Sequence, residues 1–224
     1  MAYKIKKDPI SKIPKAQLAF WIITRIAMII CAAYSFIFDH DVIMGFESVF
    51  CFIFTFLWDM FQVFGNGSFI EDVPPLSQTM LNLIIFVGIV FGSYGRLFYN
   101  TVWFDDFMHM LTGFVCAVFG YDFATIIQRK KSDVAPTLAA IFALMFALSI
   151  AVGWEFYEFA MDRLHGTNLQ FAKPVEGIVY NEFGSGDYGL VDTMTDMIMN
   201  SIGGVIGMIA IIIIRKKNKL TFDK

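Results

Sequence analysis

The stretch LVDTMTDMIMNSIGGVIGMIAIIII, from Leu190 to Ile214, decides the fold. About 20 consecutive apolar residues are enough for a helix to cross a bilayer, and this run is longer. It also carries Asp192, Asp196 and Asn200 at i, i+4 and i+8, which places three polar side chains along one helix face. Ionisable groups inside a membrane are costly and usually face a protein interior or a wet cavity. The stretch therefore predicts a membrane helix with a polar site near its start.

The composition of the whole chain is that of a membrane protein. Its 224 residues are 57% hydrophobic and 17% charged, and its mean hydropathy is +0.63. A soluble domain carries about 25% charged residues, so this chain is poor in charge. The formal net charge of -3 argues against a nucleic acid partner. The three cysteines form no CxxC spacing, which argues against a zinc knuckle.

Six apolar runs are long enough to span a membrane. They cover residues 16–38, 42–64, 78–98, 106–127, 134–161 and 190–214. No stretch is left over for a soluble domain, so we predict an all-α, polytopic transmembrane helix bundle. Residues 1–224 are expected to form a single integral membrane domain, with membrane lipid as its surroundings.

The basic residues predict how the chain is oriented. Most of the 17 Lys and Arg residues precede the first run, follow the sixth, or lie between the fourth and fifth. Because Lys and Arg concentrate on the cytoplasmic side of a membrane, both termini should be cytoplasmic. The fourth and sixth spans then begin, and the fifth span ends, at the outer face.

Two further acidic motifs lie at these same outer ends. Asp105, Asp106 and His109 stand at the start of the fourth span, and Glu155 and Glu158 near the end of the fifth. Spacings of three and four residues place each motif on one helix face. Because all three motifs lie at similar depth, we expect them to converge in one outward-facing site. Alternatively, the shallow acids are simply solvated near the headgroups.

One imidazole among several carboxylates is a ligand set that suits Zn, Mn, Fe or Mg. We therefore expect Asp105, His109, Asp192 and Asp196 to bind a divalent metal. Converging carboxylates repel one another, so a cation or bound protons would be required.

The remaining acidic and polar residues of the motifs have other expected roles. Glu155 and Glu158 are candidates for the general base and acid. Asp106 and Asn200 are expected to support the site.

Other features of the spans need only a structural explanation. Arg25 could pair with Asp59, and Glu47 with Arg96, as contacts that hold helices together. Trp154 fits an interfacial aromatic belt. Small residues below the polar stripe of the sixth span allow a neighbouring helix to approach closely, namely Gly203, Gly204 and Gly207.

The motifs resemble those of a known group. Phe104–Phe114 resembles the D-x-x-x-H helix of the YjdF-like bacterial membrane proteins, Glu155–Phe159 their acidic helix end, and Asp192–Met197 their D-T-x-x-D-M motif. The more distant VanZ-like proteins have a similar motif order. The resemblance covers roughly residues 80 to 210, and Asp106 stands where the group is often not acidic. It implies a multi-pass protein of the bacterial cytoplasmic membrane with undetermined activity, and it hints at envelope chemistry.

Three functions fit these observations. The first is a metal-dependent enzyme acting on an envelope or lipid-linked substrate. The second is a transporter in which the same carboxylates carry protons or cations. The third is a non-catalytic membrane scaffold.

Overall fold

The computed structural model describes residues 13–65, 69–101, 103–128, 135–173 and 188–222. Every regular element in these ranges is helical, and none of them contains a strand. The all-α fold class predicted from the sequence is thus confirmed.

The helices follow the apolar runs closely. They are α1 Lys15–Tyr34, α2 Val42–Phe54, α3 Leu57–Phe64, α4 Pro75–Ile85, α5 Leu97–Asn100, α6 Trp103–Gln128, α7 Pro136–His165 and α8 Tyr188–Phe222. π-Helical turns extend α1 over Ser35–Asp39 and α4 over Phe86–Tyr94, and Phe69–Asp72 is a 3₁₀ turn.

Five helical segments are long and apolar enough to cross a membrane, and the pair α2 and α3 would make a sixth. This confirms a polytopic membrane protein. Most of the basic residues that predict orientation lie outside the described ranges, so the cytoplasmic location of both termini stays a prediction.

The second predicted span is broken rather than continuous. Between α2 and α3 the chain bends by 47°, and side chains from other helices satisfy the freed backbone groups. Arg25 donates to the Thr55 carbonyl at 2.9 Å, and the Trp58 N–H donates to the Gln78 side chain at 2.8 Å. Arg25 also forms the expected ion pair with Asp59, at 2.5 Å. Irregular backbone is tolerated in a membrane where neighbouring groups complete its hydrogen bonds in this way.

The helices group into two compact units, Met1–Arg96 and Leu97–Lys224. That the chain forms a single membrane domain stays a prediction. In the first unit, α1 and α4 with its π-helical extension contribute the buried apolar cluster Met28, Cys31, Ile85 and Ile89. The second unit contains α6, α7 and α8, and all three predicted acidic motifs lie on these helices.

Small residues bring the three long helices of the second unit together. A side chain at Gly203 would collide with the backbone of Met110, and one at Gly113 with the backbone of Asn200. Helices α6 and α8 therefore touch backbone to backbone, as the sequence predicted for the Gly203 region. On α7, fully or nearly fully buried alanines recur every four residues and lead to Glu155: Ala139, Ala143, Ala147 and Ala151.

Candidate functional site

The first part of the candidate site lies in the first two turns of α6. His109 is buried, with 6% of its surface exposed. Its Nε2 atom lies 3.7 Å from Oδ1 of Asp105, which is one turn earlier on the same helix. The four-residue spacing seen in the sequence therefore does place the imidazole beside this carboxylate.

The second part comes from α8. Asp196 is only 2% exposed, and its Oδ2 lies 3.6 Å from His109 Nε2. One ligand atom from each of Asp105, His109 and Asp196 lies within 4.8 Å of the other two. We call these three residues the histidine group.

The third part comes from the last three turns of α7. Glu155 and Glu158 are each 5% exposed. One oxygen from each lies within 4.8 Å of the other and of an Asp196 ligand atom. We call Glu155, Glu158 and Asp196 the glutamate group. The two groups share Asp196, so all three acidic motifs converge around one carboxylate.

Neighbouring side chains hold one oxygen of each glutamate. Thr193 donates to Glu155 Oε2 at 2.7 Å, and Gln170 Nε2 lies 3.0 Å from Thr193 Oγ1. Trp154 Nε1 donates to Glu158 Oε1 at 2.7 Å. The sequence assigned Trp154 to an aromatic belt, although its i,i+4 spacing from Glu158 was a usable signal. Nothing in the sequence pointed to Gln170.

Hydrogen bonds to the Asp162 side chain stabilise the turn after α7. Its carboxylate accepts hydrogen bonds from Thr167 Oγ1 at 2.6 Å, Leu169 N at 2.7 Å and Gln170 N at 3.1 Å. A carboxylate that accepts several such bonds stiffens the backbone around it. This turn places Gln170 beside Thr193 and so reaches the site.

Several buried polar atoms of the site have no hydrogen-bond partner among the described residues. They are Glu155 Oε1, Glu158 Oε2, Asp192 Oδ2, Asp196 Oδ2 and both amide atoms of Asn200. Buried polar atoms in native proteins are nearly always hydrogen-bonded, because leaving them unpaired is costly. In the described ranges, no Lys or Arg forms an ion pair with these carboxylates. The arrangement is therefore suited to a bound cation or to protons.

Asp106 and Asp192 lie beside the cluster. Both are half-buried, and neither belongs to the histidine group or the glutamate group. Asp192 is one turn before Asp196 and within electrostatic range of Asp105 and Glu155. Its proposed role as a metal ligand stays a prediction.

The expected pair of Glu47 and Arg96 is not formed. In the described part of the first unit, no ion pair joins them. Arg96 stands at the break before α5 with a left-handed backbone, φ 58°, and an exposed side chain, whereas Glu47 lies half-buried on α2. Their supporting role at the site stays a prediction.

Comparison with known proteins identifies a family. The family model described as "Predicted membrane protein (DUF2238)" matches residues 16–217, which include all eight helices apart from the ends of α1 and α8. No curated protein and no solved structure matches the chain. The chain therefore belongs to the DUF2238 family of membrane proteins.

Proposed function

We propose that the cluster binds a divalent metal ion and uses it in chemistry on an envelope or lipid-linked substrate. The observation that carries this proposal is the position of His109 Nε2, which lies 3.7 Å from Asp105 Oδ1 and 3.6 Å from Asp196 Oδ2. Ligands bound to one zinc ion lie about 2.0–2.2 Å from it, and hence roughly 3–4 Å from one another. Both distances from His109 Nε2 fit this separation.

The kinds of ligand atom also fit. One imidazole nitrogen and carboxylate oxygens suit Zn, Mn or Fe, and the oxygens also suit Mg. A cation would also satisfy the unpartnered Asp196 Oδ2 and reduce the repulsion between the carboxylates. Three protein ligands would leave further positions open to water or substrate, as in catalytic zinc sites.

The two glutamates provide the acid–base chemistry in this proposal. A bound divalent metal supplies Lewis-acid polarisation and eases the deprotonation of water. Glu155 is held at Oε2 by Thr193, and its other oxygen is free to take a proton. Glu158 is held at Oε1 by Trp154, and its Oε2 is equally free. Each residue can therefore hold or move a proton at one defined oxygen.

An envelope or lipid-linked substrate suits the position of the cluster. The site lies within about three turns of one end of each of three helices that are long enough to span a membrane. Trp154 is 46% exposed and donates to Glu158. Its indole therefore connects the surface of α7 to the cluster through a single hydrogen bond. The basic residues predict an outward-facing site, and the YjdF-like and distantly VanZ-like motif order favours envelope chemistry.

The metal content of the purified protein tests this proposal. We expect near-stoichiometric transition metal in mild detergent, with loss of most of it in His109→Ala and Asp196→Asn. Circular dichroism and monodisperse elution would show that these variants remain folded. Wild-type protein that stays metal-free after supplementation with Zn, Mn and Fe would refute the proposal.

A second candidate function rests on the unpartnered carboxylate oxygens. Buried acids inside a membrane carry protons or cations in many pumps and transporters. If the protein holds no metal, proton-coupled transport becomes the better explanation. In that case Glu155→Gln should abolish substrate uptake that depends on a proton gradient.

A further inference from the structure

The glutamate group is a second set of ligands that the proposed metal at His109 does not use. One metal at the histidine group needs only Asp105, His109 and Asp196. Glu155 and Glu158 approach Asp196 from another helix, with ligand atoms within 4.8 Å of one another. Only 5% of the surface of each glutamate is exposed, and each has one oxygen without a hydrogen-bond partner.

We infer that the cluster is a two-metal site, in which Asp196 bridges one divalent cation at the histidine group and a second at the glutamate group. This inference deepens the proposed function and rests on it, because the two cations share the Asp196 carboxylate. A carboxylate has two oxygens and can bind one cation with each. Two-metal sites of this type hold their ions about 3.5–4 Å apart. The two ions stabilise the attacking and the leaving oxygen of a displacement reaction.

The charge of the cluster supports a second cation. Asp105, Asp196, Glu155 and Glu158 carry four negative charges when ionised, and no Lys or Arg pairs with them among the described residues. One divalent cation would leave two negative charges buried, which is costly. Two divalent cations balance all four.

The hydrogen bonds of the glutamates support the same arrangement. Thr193 takes one oxygen of Glu155 and Trp154 takes one oxygen of Glu158, at 2.7 Å in each case. Metal-ligating carboxylates are themselves commonly hydrogen-bonded, and such outer partners orient the ligand. The oxygen left free on each glutamate is thus the one available to a cation, so in the two-metal site the glutamates act as ligands instead of as general acid and base.

A further unpartnered residue lies next to the shared carboxylate along α8. Asn200 is 1% exposed, one turn after Asp196, and neither atom of its amide has a hydrogen-bond partner. An amide oxygen is a common ligand for hard cations. Asn200 is therefore a candidate for an additional ligand or for a residue that binds metal-bound water.

Manganese stoichiometry and electron paramagnetic resonance (EPR) test the inference on the full chain in mild detergent. After loading with Mn²⁺ and desalting, wild-type protein should hold two Mn²⁺ per chain with an exchange-coupled spectrum. The double variant Glu155→Gln/Glu158→Gln should lose half of the metal and show the six-line spectrum of an isolated ion. Asp196→Asn should lose the coupling and most of both ions.

The controls separate this inference from the proposed function. Glu47→Gln removes a carboxylate from a membrane helix of the other unit and should leave both ions bound. Glutamine keeps the size of glutamate and still accepts from Trp154 and Thr193, so the double variant should fold. One Mn²⁺ in wild type, retained in the double variant, would overturn the second site and leave the first. Two uncoupled ions would overturn the shared Asp196, and no Mn²⁺ in wild type would overturn the two-metal site. The metal content after supplementation with Zn, Mn and Fe decides the proposed function separately.

Discussion

Thr193 on α8 donates a 2.7 Å hydrogen bond to Glu155 Oε2 on α7, and so links the two helices at the candidate site. The same hydroxyl lies 3.0 Å from Gln170 Nε2, in the turn that Asp162 ties down. The orientation of buried Glu155 therefore depends on the turn that follows α7, its own helix.

Thr193→Val should destabilise the protein, because it leaves Glu155 Oε2 without its donor at nearly constant side-chain volume. A buried acceptor that loses its partner costs about 1–3 kcal/mol. Thermal unfolding in detergent would show a lower midpoint temperature. Thr193→Ser keeps the hydroxyl and is the matched control, so an equal loss in both variants would argue against this hydrogen bond.

Trp154→Phe should weaken metal binding while the fold remains intact. Phenylalanine keeps an aromatic ring at this partly exposed position but cannot donate to Glu158 Oε1. Loss of such an outer partner costs about 10- to 100-fold in metal affinity. Competition with a fluorescent chelator would measure the change. Phe156→Leu, at a position 69% exposed on the same helix, is the control and should bind metal as wild type does. Unchanged metal affinity in Trp154→Phe would mean that the indole hydrogen bond does not contribute to metal binding.

Gly203→Ala should disrupt the packing of α6 on α8, since the added methyl group would collide with the Met110 carbonyl. Overpacking of a close contact costs about 1–3 kcal/mol. The midpoint of thermal unfolding should fall, and metal content should fall with it as Asp196 shifts away from His109.

Gly153→Ala is the matched control for this substitution. Nothing lies within 4 Å of a methyl group at Gly153, so the change should be neutral or slightly stabilising. A Gly203→Ala variant as stable as Gly153→Ala would show that α6 and α8 are not in backbone contact at Gly203.

Arg25→Met should destabilise the first unit through the broken second span. The Arg25 guanidinium donates to the Thr55 carbonyl, pairs with Asp59 and lies 3.7 Å from the Phe56 ring centroid. Because both charged side chains are partly exposed, we expect a loss of about 1–3 kcal/mol, less than for a fully buried pair.

A double-mutant cycle with Asp59→Asn would isolate the ion pair from the other contacts of Arg25. We expect a coupling energy of about 0.5–3 kcal/mol, in the range found for directly contacting residues. A coupling energy near zero would mean that the carbonyl and ring contacts carry the effect instead.

Local pattern was sufficient to predict most of the helices and part of the site. The apolar runs correspond to the spans within a few residues, because crossing a bilayer demands a minimum length of apolar helix. The i,i+4 spacing of Asp105 and His109 predicted their proximity correctly, since it depends only on helix geometry. The pair of Arg25 and Asp59 also followed from the cost of an unpaired charge in a membrane.

What the sequence by itself determined is therefore the set of helices and which side chains share a face. Only the tertiary structure decided that Asp196 stands between His109 and the two glutamates, and that Gln170 reaches the site through Thr193. The same holds for the break at Thr55, where Arg25 and Gln78 supply hydrogen bonds from helices distant in sequence. The physical reason is that helix periodicity is local, whereas contacts between helices depend on how small residues such as Gly113 and Gly203 let the backbones pack.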